Sequence, residues 1–204
     1  MDERPTLIYL LRHGETVLAE PRRFVGHLDV PLSARGEAQC ERQAHRLKGV
    51  GLAAVYSSDL VRAVRSAQIV GVPHGLTPKT LPALREMDMG RWEGLTAADL
   101  DAREPEVFKD WMTGVGEYPF PEGEDVGRLV ARAWPAFEAI ATEHAGQAVA
   151  VVAHAGPNRA ILCRALGLPL TRLSAFGQDY ASLTLLEHTA ARWRLLRLNE
   201  APGV

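Results

Sequence analysis

The chain has 204 residues, with 23 Lys and Arg against 25 Asp and Glu, a formal net charge of −2. Apolar types make up 47% and charged types 24%, which excludes general disorder, and the near balance of charge gives no basis for a nucleic-acid or membrane partner. Two cysteines, Cys40 and Cys163, exclude a disulfide framework or a CxxC metal or redox pair, and no apolar run approaches the ~18 residues of a membrane span.

The polar start Met1–Pro5 is followed by an apolar run that ends against Arg12, too short for a secretory signal, so a reduced, cytoplasmic protein is expected. Leu7-Ile8-Tyr9-Leu10-Leu11 is β-prone without polar alternation, the pattern of a strand covered on both faces. Arg12-His13-Gly14-Glu15-Thr16 follows at its C-terminal end. Past a loop with Pro21, Gly26 and Pro31, Ser33 is an N-cap candidate, and 37–48 reads as a helix stopped by Gly49 and Gly51. Leu52–Tyr56 is the next strand. Ser57-Ser58 comes after it, with Ser58 as the expected cap of a helix over 59–70.

The stretch from about 87 to 127 changes character. It is rich in Gly, Pro and acids, carries Trp92, Trp111 and Tyr118, and reads as a partly helical lid insertion within one domain spanning 1–204. Leu129, Ala133, Phe137, Ile140 and Ala141 outline a helix that Pro135 is expected to kink. Val149–Ala153 is the most apolar strand, His154-Ala155-Gly156 its loop, and 158–166 the next helix. Residues 181–187 and 192–198 form a terminal hairpin, a surface able to pair two copies into a homodimer.

Alternating strands and helices predict a three-layer α/β/α sandwich with a mostly parallel central sheet. In such sheets ligands bind beyond the C-terminal strand ends. Arg12-His13-Gly14, Ser57-Ser58 with Arg62, and His154-Ala155-Gly156 all fall at such ends and should share one rim.

Arg12, Arg62, His13 and His154 around one point repel one another unless an anion lies between them, and a guanidinium fork matches phosphate oxygens two at a time. A phosphate is the simplest guest. A neutral imidazole can attack phosphorus, and a second, if protonated, can neutralise equatorial charge. The leaving alkoxide then needs an acid. Glu86 is the candidate, with a pKa expected to be raised by apolar neighbours and the phosphate; Asp88 is the rival and Glu93 a third choice. The rim offers cations where a two-metal phosphatase needs several carboxylates, so no metal is implied.

Leu11-Arg12-His13-Gly14-Glu15-Thr16 resembles the signature of the histidine phosphatase superfamily, with its phosphoglycerate-mutase-like fold. So do Arg23 to Ser33, Ser57 to Ala63, Arg85 to Gly94 and Val151 to Gly156, in the family's order and over nearly the whole chain. The resemblance implies that His13 is the phosphorylated nucleophile, that Arg12, Arg62 and His154 complete the phosphate pocket, that Glu86 donates the proton, and that no cofactor takes part. Thr16, Gly26, His27 and Gly156 are further candidates for contact with the phosphate or substrate. Met87-Asp88-Met89, Gly26-His27 and Gln178-Asp179-Tyr180 look more like α-ribazole and broad-specificity phosphatases than mutases. The expected substrate is a small phosphate ester, α-ribazole 5′-phosphate being one; a mutase-type transfer and a non-catalytic phosphate-binding module are the alternatives.

Some residues differ from the family pattern. Ala19 replaces a frequent Asn, Asp59 a Pro and Arg65 a Gln, and Pro157 removes a backbone donor after Gly156. His45 and His144 read as surface groups, His74 and His188 as turn residues, Arg103, Arg128 and Arg132 as solvated charges, and Cys163 as a small buried hydrophobe. His27 either lines the pocket mouth or turns its loop.

Overall fold

The structure, a computed structural model, describes residues 4–114, 119–190 and 192–202. Six strands form one sheet: β1 (Thr6–Arg12), β2 (Leu52–Ser57), β3 (Lys79–Thr80), β4 (Ala148–Ala153), β5 (Leu183–Thr189) and β6 (Arg192–Glu200). The order is β3-β2-β4-β1-β5-β6, with β3 to β1 parallel and β5 and β6 antiparallel. The two-residue edge strand β3 has no sequence signature, because both its side chains are exposed.

Period-two alternation sorts each central strand between two apolar layers. Ile8, Leu10, Val149, Val151 and Ala153 pack with Phe137 and Ile140 of α5 (Val126–Glu143) and Ile161 and Leu162 of α6 (Ala155–Ala165). Leu11, Val55, Ala150 and Val152 point the other way, against Leu47 of α1 (Ala34–Leu47) and Ala63, Ala67 and Val70 of α2 (Val61–Gly71). The result is the expected three-layer sandwich. Each fully buried aliphatic side chain contributes about 1.5–3 kcal/mol. β4 is apolar throughout because both its faces are covered.

Three helix starts differ from the expected ones. Ser33 caps α1, accepting the Gly36 N–H at 3.0 Å, but the helix begins at Ala34. α2 begins at Val61, not 59, and Ser58 is not its cap; the Val61 N–H is taken by Asp29 Oδ1 at 2.8 Å. α6 begins at Ala155, which places Pro157 in the first turn, where its missing N–H costs no helical bond. α5 is one helix running through Pro135.

The insertion contains α3 (Ala97–Arg103) and α4 (Pro105–Thr113). Trp92, Leu100 and Phe120 form its core, with Phe24, Phe108 and Trp111 against them. Tyr118 lies outside the described residues. Phe24 comes from the loop after β1, and an Arg23–Thr96 bridge joins that loop to the insertion. No described helix is long and apolar enough to cross a membrane.

Candidate active site

Three strand ends meet because their strands are neighbours: Arg12 pairs with Ala153 across β1 and β4, and Ser57 with Val152 across β2 and β4. His13 follows β1 directly, with its N–H on Ala153 O at 3.0 Å and its carbonyl accepting the Ala181 N–H at 2.9 Å. His154 follows β4 and stands at the N-cap of α6. Their rings are 5.0 Å apart between centroids, tilted by 58°.

His13 Nδ1 is 2.7 Å from Gly14 O. A carbonyl only accepts, so Nδ1 carries the proton and Nε2 is left with its lone pair. Burial pushes the His13 pKa well below the ordinary range, and the guanidiniums of Arg12 and Arg62 push it further down. The ring is a neutral imidazole with a free Nε2.

His154 Nε2 is 2.7 Å from Ser58 Oγ, and its buried Nδ1 has no partner. Burial, then Arg62, holds its pKa well down too, which favours the neutral ring. With the Ser58 hydroxyl donating to Nε2, a neutral ring still presents an Nδ1–H.

Arg12 donates to Gln178 O at 2.6 Å and its guanidinium carbon lies 3.9 Å from the centre of the Tyr180 ring, while its buried Nε has no partner. Arg62, 1% exposed, donates to Leu28 O at 2.9 Å and Gly26 O at 2.6 Å. These carbonyls fix the fork and leave its other donors for a guest.

Glu86 is buried and rests on the start of α6, its Oε1 accepting the N–H groups of Gly156 at 3.0 Å and Met87 at 2.9 Å. A Cβ at Gly156 would lie 2.2 Å from that oxygen, so only glycine admits the carboxylate. Gly156 is therefore the seat of the Glu86 carboxyl group, and its N–H is not a free phosphate donor. Asp88 turns away: Oδ1 accepts the Gly90 N–H and Oδ2 lies 3.9 Å from His27 Nδ1. Glu93 takes the N–H groups of Gly26, His27 and Leu28 at 3.0, 2.6 and 3.2 Å. It is a loop anchor, which removes it as an acid.

The other predicted contacts sort as follows. Gly26 spends its N–H on Glu93 and its carbonyl on Arg62, so it positions Arg62 and is not itself a phosphate donor. His27 is half-buried with Nε2 3.0 Å from Glu86 O, at the back of the acid loop. Thr16 is buried and held in a bridge to Leu32.

Arg132, His144 and His188 differ from their expected settings. Arg132 is no solvated charge: it donates to the carbonyls of Ala83, Arg85 and Glu86 at 2.7–2.8 Å and pairs with Glu124. His144 is buried, bonded to Tyr56 OH at 2.9 Å and Gln147 Oε1 at 2.8 Å. His188 lies within β5, stacked on Trp193. Arg65 pairs with Glu37 at the surface, and Asp59 with Arg85. Cys163 is buried. Ser58, Gln178 and Arg132 were missed as positioning residues; each acts through a partner distant in sequence. Among the described residues no group of three His, Cys, Asp or Glu side chains is placed to hold a metal ion.

An α/β sheet presenting two imidazoles, two guanidiniums and a carboxyl at its strand ends defines a site built for phosphoryl groups. The model of the histidine phosphatase superfamily (branch 1) matches residues 8–201, and the chain belongs to that family. It is 31% identical over 192 residues to phosphoserine phosphatase 1 of Hydrogenobacter thermophilus, covering 94% of this chain and 91% of that one. A mycobacterial glucosyl-3-phosphoglycerate phosphatase superposes with TM-score 0.87 at 32% identity, covering 97% of this chain and 100% of the other. The α-ribazole phosphatase of Shigella flexneri gives TM-score 0.87 at 27% identity, covering 97% and 98%.

Proposed function

We propose that the protein is a phosphomonoesterase that hydrolyses a small organic phosphate through a phosphohistidine at His13, without a metal. The observation that carries this reading is the His13 Nδ1–Gly14 O bond, which leaves Nε2 as a nucleophile beside His154. Nε2 attacks phosphorus while the ester P–O bond breaks. Arg12, Arg62 and His154 Nδ1–H hold the equatorial oxygens, where charge develops. Glu86 is the carboxyl group placed to give a proton to the departing alkoxide. As a carboxylate it then takes a proton from water, which attacks phosphorus, breaks the N–P bond and frees phosphate and neutral His13.

The relatives' names support phosphatase chemistry on small phosphorylated metabolites, namely a phosphoserine, a glucosyl-3-phosphoglycerate and an α-ribazole phosphate. α-Ribazole 5′-phosphate remains one candidate substrate. The test is turnover of p-nitrophenyl phosphate in the presence of a chelator, together with rapid quench of labelled substrate. Labelled protein that survives base but not acid marks a phosphohistidine. Turnover by His13→Ala equal to wild type overturns the reading. Label passing to an added hydroxyl acceptor rather than to water assigns the mutase-type alternative.

A further inference from the structure

A third guanidinium, that of Arg159, stands on the helix that carries Gly156. Gly156 and Arg159 stand three residues apart on α6 and therefore share a helix face. Gly156 holds Glu86, so Arg159 lies one turn along from the acid. Arg159 Nε donates to Phe176 O at 2.9 Å. Arg12 donates to Gln178 O at 2.6 Å. Phe176 is extended, with φ −100° and ψ 118°. One short loop thus accepts hydrogen bonds from two guanidiniums through carbonyls two residues apart.

Their charges respond accordingly. Burial lowers the Arg159 pKa first, Glu86 acts against this, and Arg22 adds to it. Arg12 in turn is lowered by burial and, more weakly, by Arg159 and Arg22. Arg22 is exposed, and among the described residues neither it nor Arg159 is paired with a carboxylate. Asp179, the nearest acid in the loop's sequence, is turned to Asn199 at 2.9 Å. Gln178 is 6% exposed, and its buried Nε2 has no partner. Asn158 Nδ2 holds its Oε1 at 2.9 Å. A buried donor and two cations without carboxylate partners thus stand beyond the groups that grip a phosphate.

We infer that Arg159, with Arg22 at its mouth and the loop 176–178 as its wall, binds a second anionic group of the substrate, a carboxylate on the carbon chain that carries the phosphate. This rests on the phosphomonoesterase reading and narrows it to phosphorylated carboxylic acids. Glu86 rests on the start of the helix that carries Arg159, so a substrate held by both anions would present its bridging ester oxygen near that carboxyl. A guanidinium matches a carboxylate with two parallel hydrogen bonds, so the second anion also orients the leaving group toward the acid.

Two matched substrate pairs test this: 3-phosphoglycerate against glycerol 3-phosphate, and O-phosphoserine against O-phosphoethanolamine. Each pair differs by one carboxylate. Wild type should favour the acid of at least one pair by tenfold or more in kcat/KM. Arg159→Met and the exposed, fold-neutral Arg22→Ala should each reduce that preference at least fivefold. A purely structural role for Arg159 would lower both members of a pair alike, and that result overturns the subsite, as does turnover of p-nitrophenyl phosphate with no preference in either pair. Absence of any turnover overturns the esterase reading instead; the same pairs compared as Kd by calorimetry then decide the subsite on the inactive protein.

Discussion

Ser58 Oγ lies 2.7 Å from His154 Nε2, and this contact decides which nitrogen of the second imidazole faces the phosphate pocket. Both groups are fully buried, and among the described residues Nδ1 has no hydrogen-bond partner. Ser58→Ala leaves Nε2 unpaired and lets the ring turn. A lost buried hydrogen bond of about 1–1.5 kcal/mol corresponds to roughly tenfold in rate. Steady-state kinetics should show kcat down about tenfold with Ser58→Ala. Ser58→Thr, which keeps the hydroxyl, should restore most of it. Equal loss with both variants would mean that the hydroxyl does not orient His154.

Stability should fall in weak acid. His13 and His154 are both held well below the ordinary histidine range, by burial first and then by the arginines. In the unfolded chain each titrates near ~6.5. Between the depressed folded value and ~6.5 the unfolded state binds more protons, so stability rises with pH there and levels off above ~6.5. Two such groups give a slope of up to about 2.7 kcal/mol per pH unit. Denaturant titrations from pH 5 to 8 measure it, and His154→Gln should remove about half. A slope unaltered by His154→Gln would place the acid sensitivity elsewhere.

Arg62→Ala should lower kcat at least 100-fold, the scale of losing one donor to transition-state charge. Arg62→Lys should recover little. The two carbonyls that aim the fork, Gly26 O and Leu28 O, need donors at fixed separation, and an ammonium is a single point. Full activity in Arg62→Lys would show that charge alone suffices.

How much of this was legible in the sequence depends on whether a residue acts alone or through a partner. Strand ends are marked by the switch from an apolar run to a polar residue, so His13, Arg12 and His154 could be placed on one rim before any coordinates. The layers followed from the lack of polar alternation in Leu7–Leu11 and Val149–Ala153, the mark of strands covered on both faces. Ser58 was misread because a serine ahead of a helix is an ordinary cap; that its hydroxyl is turned to a histidine 96 residues away leaves no local trace. Gly156 and Gly26 were taken as phosphate donors, whereas tertiary contacts to Glu86 and Glu93 claim their N–H groups. Arg132 looked solvated because a charged residue on an amphipathic helix usually is; its carbonyl partners lie 46–49 residues earlier.

Glu86→Gln and Gly156→Ala should share a kinetic signature. The first removes the proton, and the second puts a Cβ where the carboxylate rests. An acid matters in proportion to the basicity of the leaving group. Both variants should therefore lose 100-fold or more on alkyl phosphates and tenfold or less on p-nitrophenyl phosphate, whose leaving group is stable as an anion. Uniform loss across leaving groups would assign Glu86 to phosphate binding or folding, and would return Asp88 to consideration.

Arg132 should control the acid loop from behind. Its guanidinium donates to the carbonyls of Ala83, Arg85 and Glu86 and pairs with Glu124, whose own backbone N–H donates to Asp88 O at 2.8 Å. One side chain of α5 thereby fixes both ends of the segment that presents Glu86. The Arg132 and Glu124 side chains are only 23% and 11% exposed, so removing one strands the other's charge. Arg132→Met should destabilise the fold by about 3–5 kcal/mol, and Arg132→Met with Glu124→Leu by less than the two single changes combined. Loosening the loop withdraws the acid, so Arg132→Met should also carry the leaving-group dependence of Glu86→Gln in milder form, with KM for p-nitrophenyl phosphate little changed. Denaturant melts and a leaving-group series on the same four proteins measure both. Stability lost without that dependence would limit Arg132 to holding the fold.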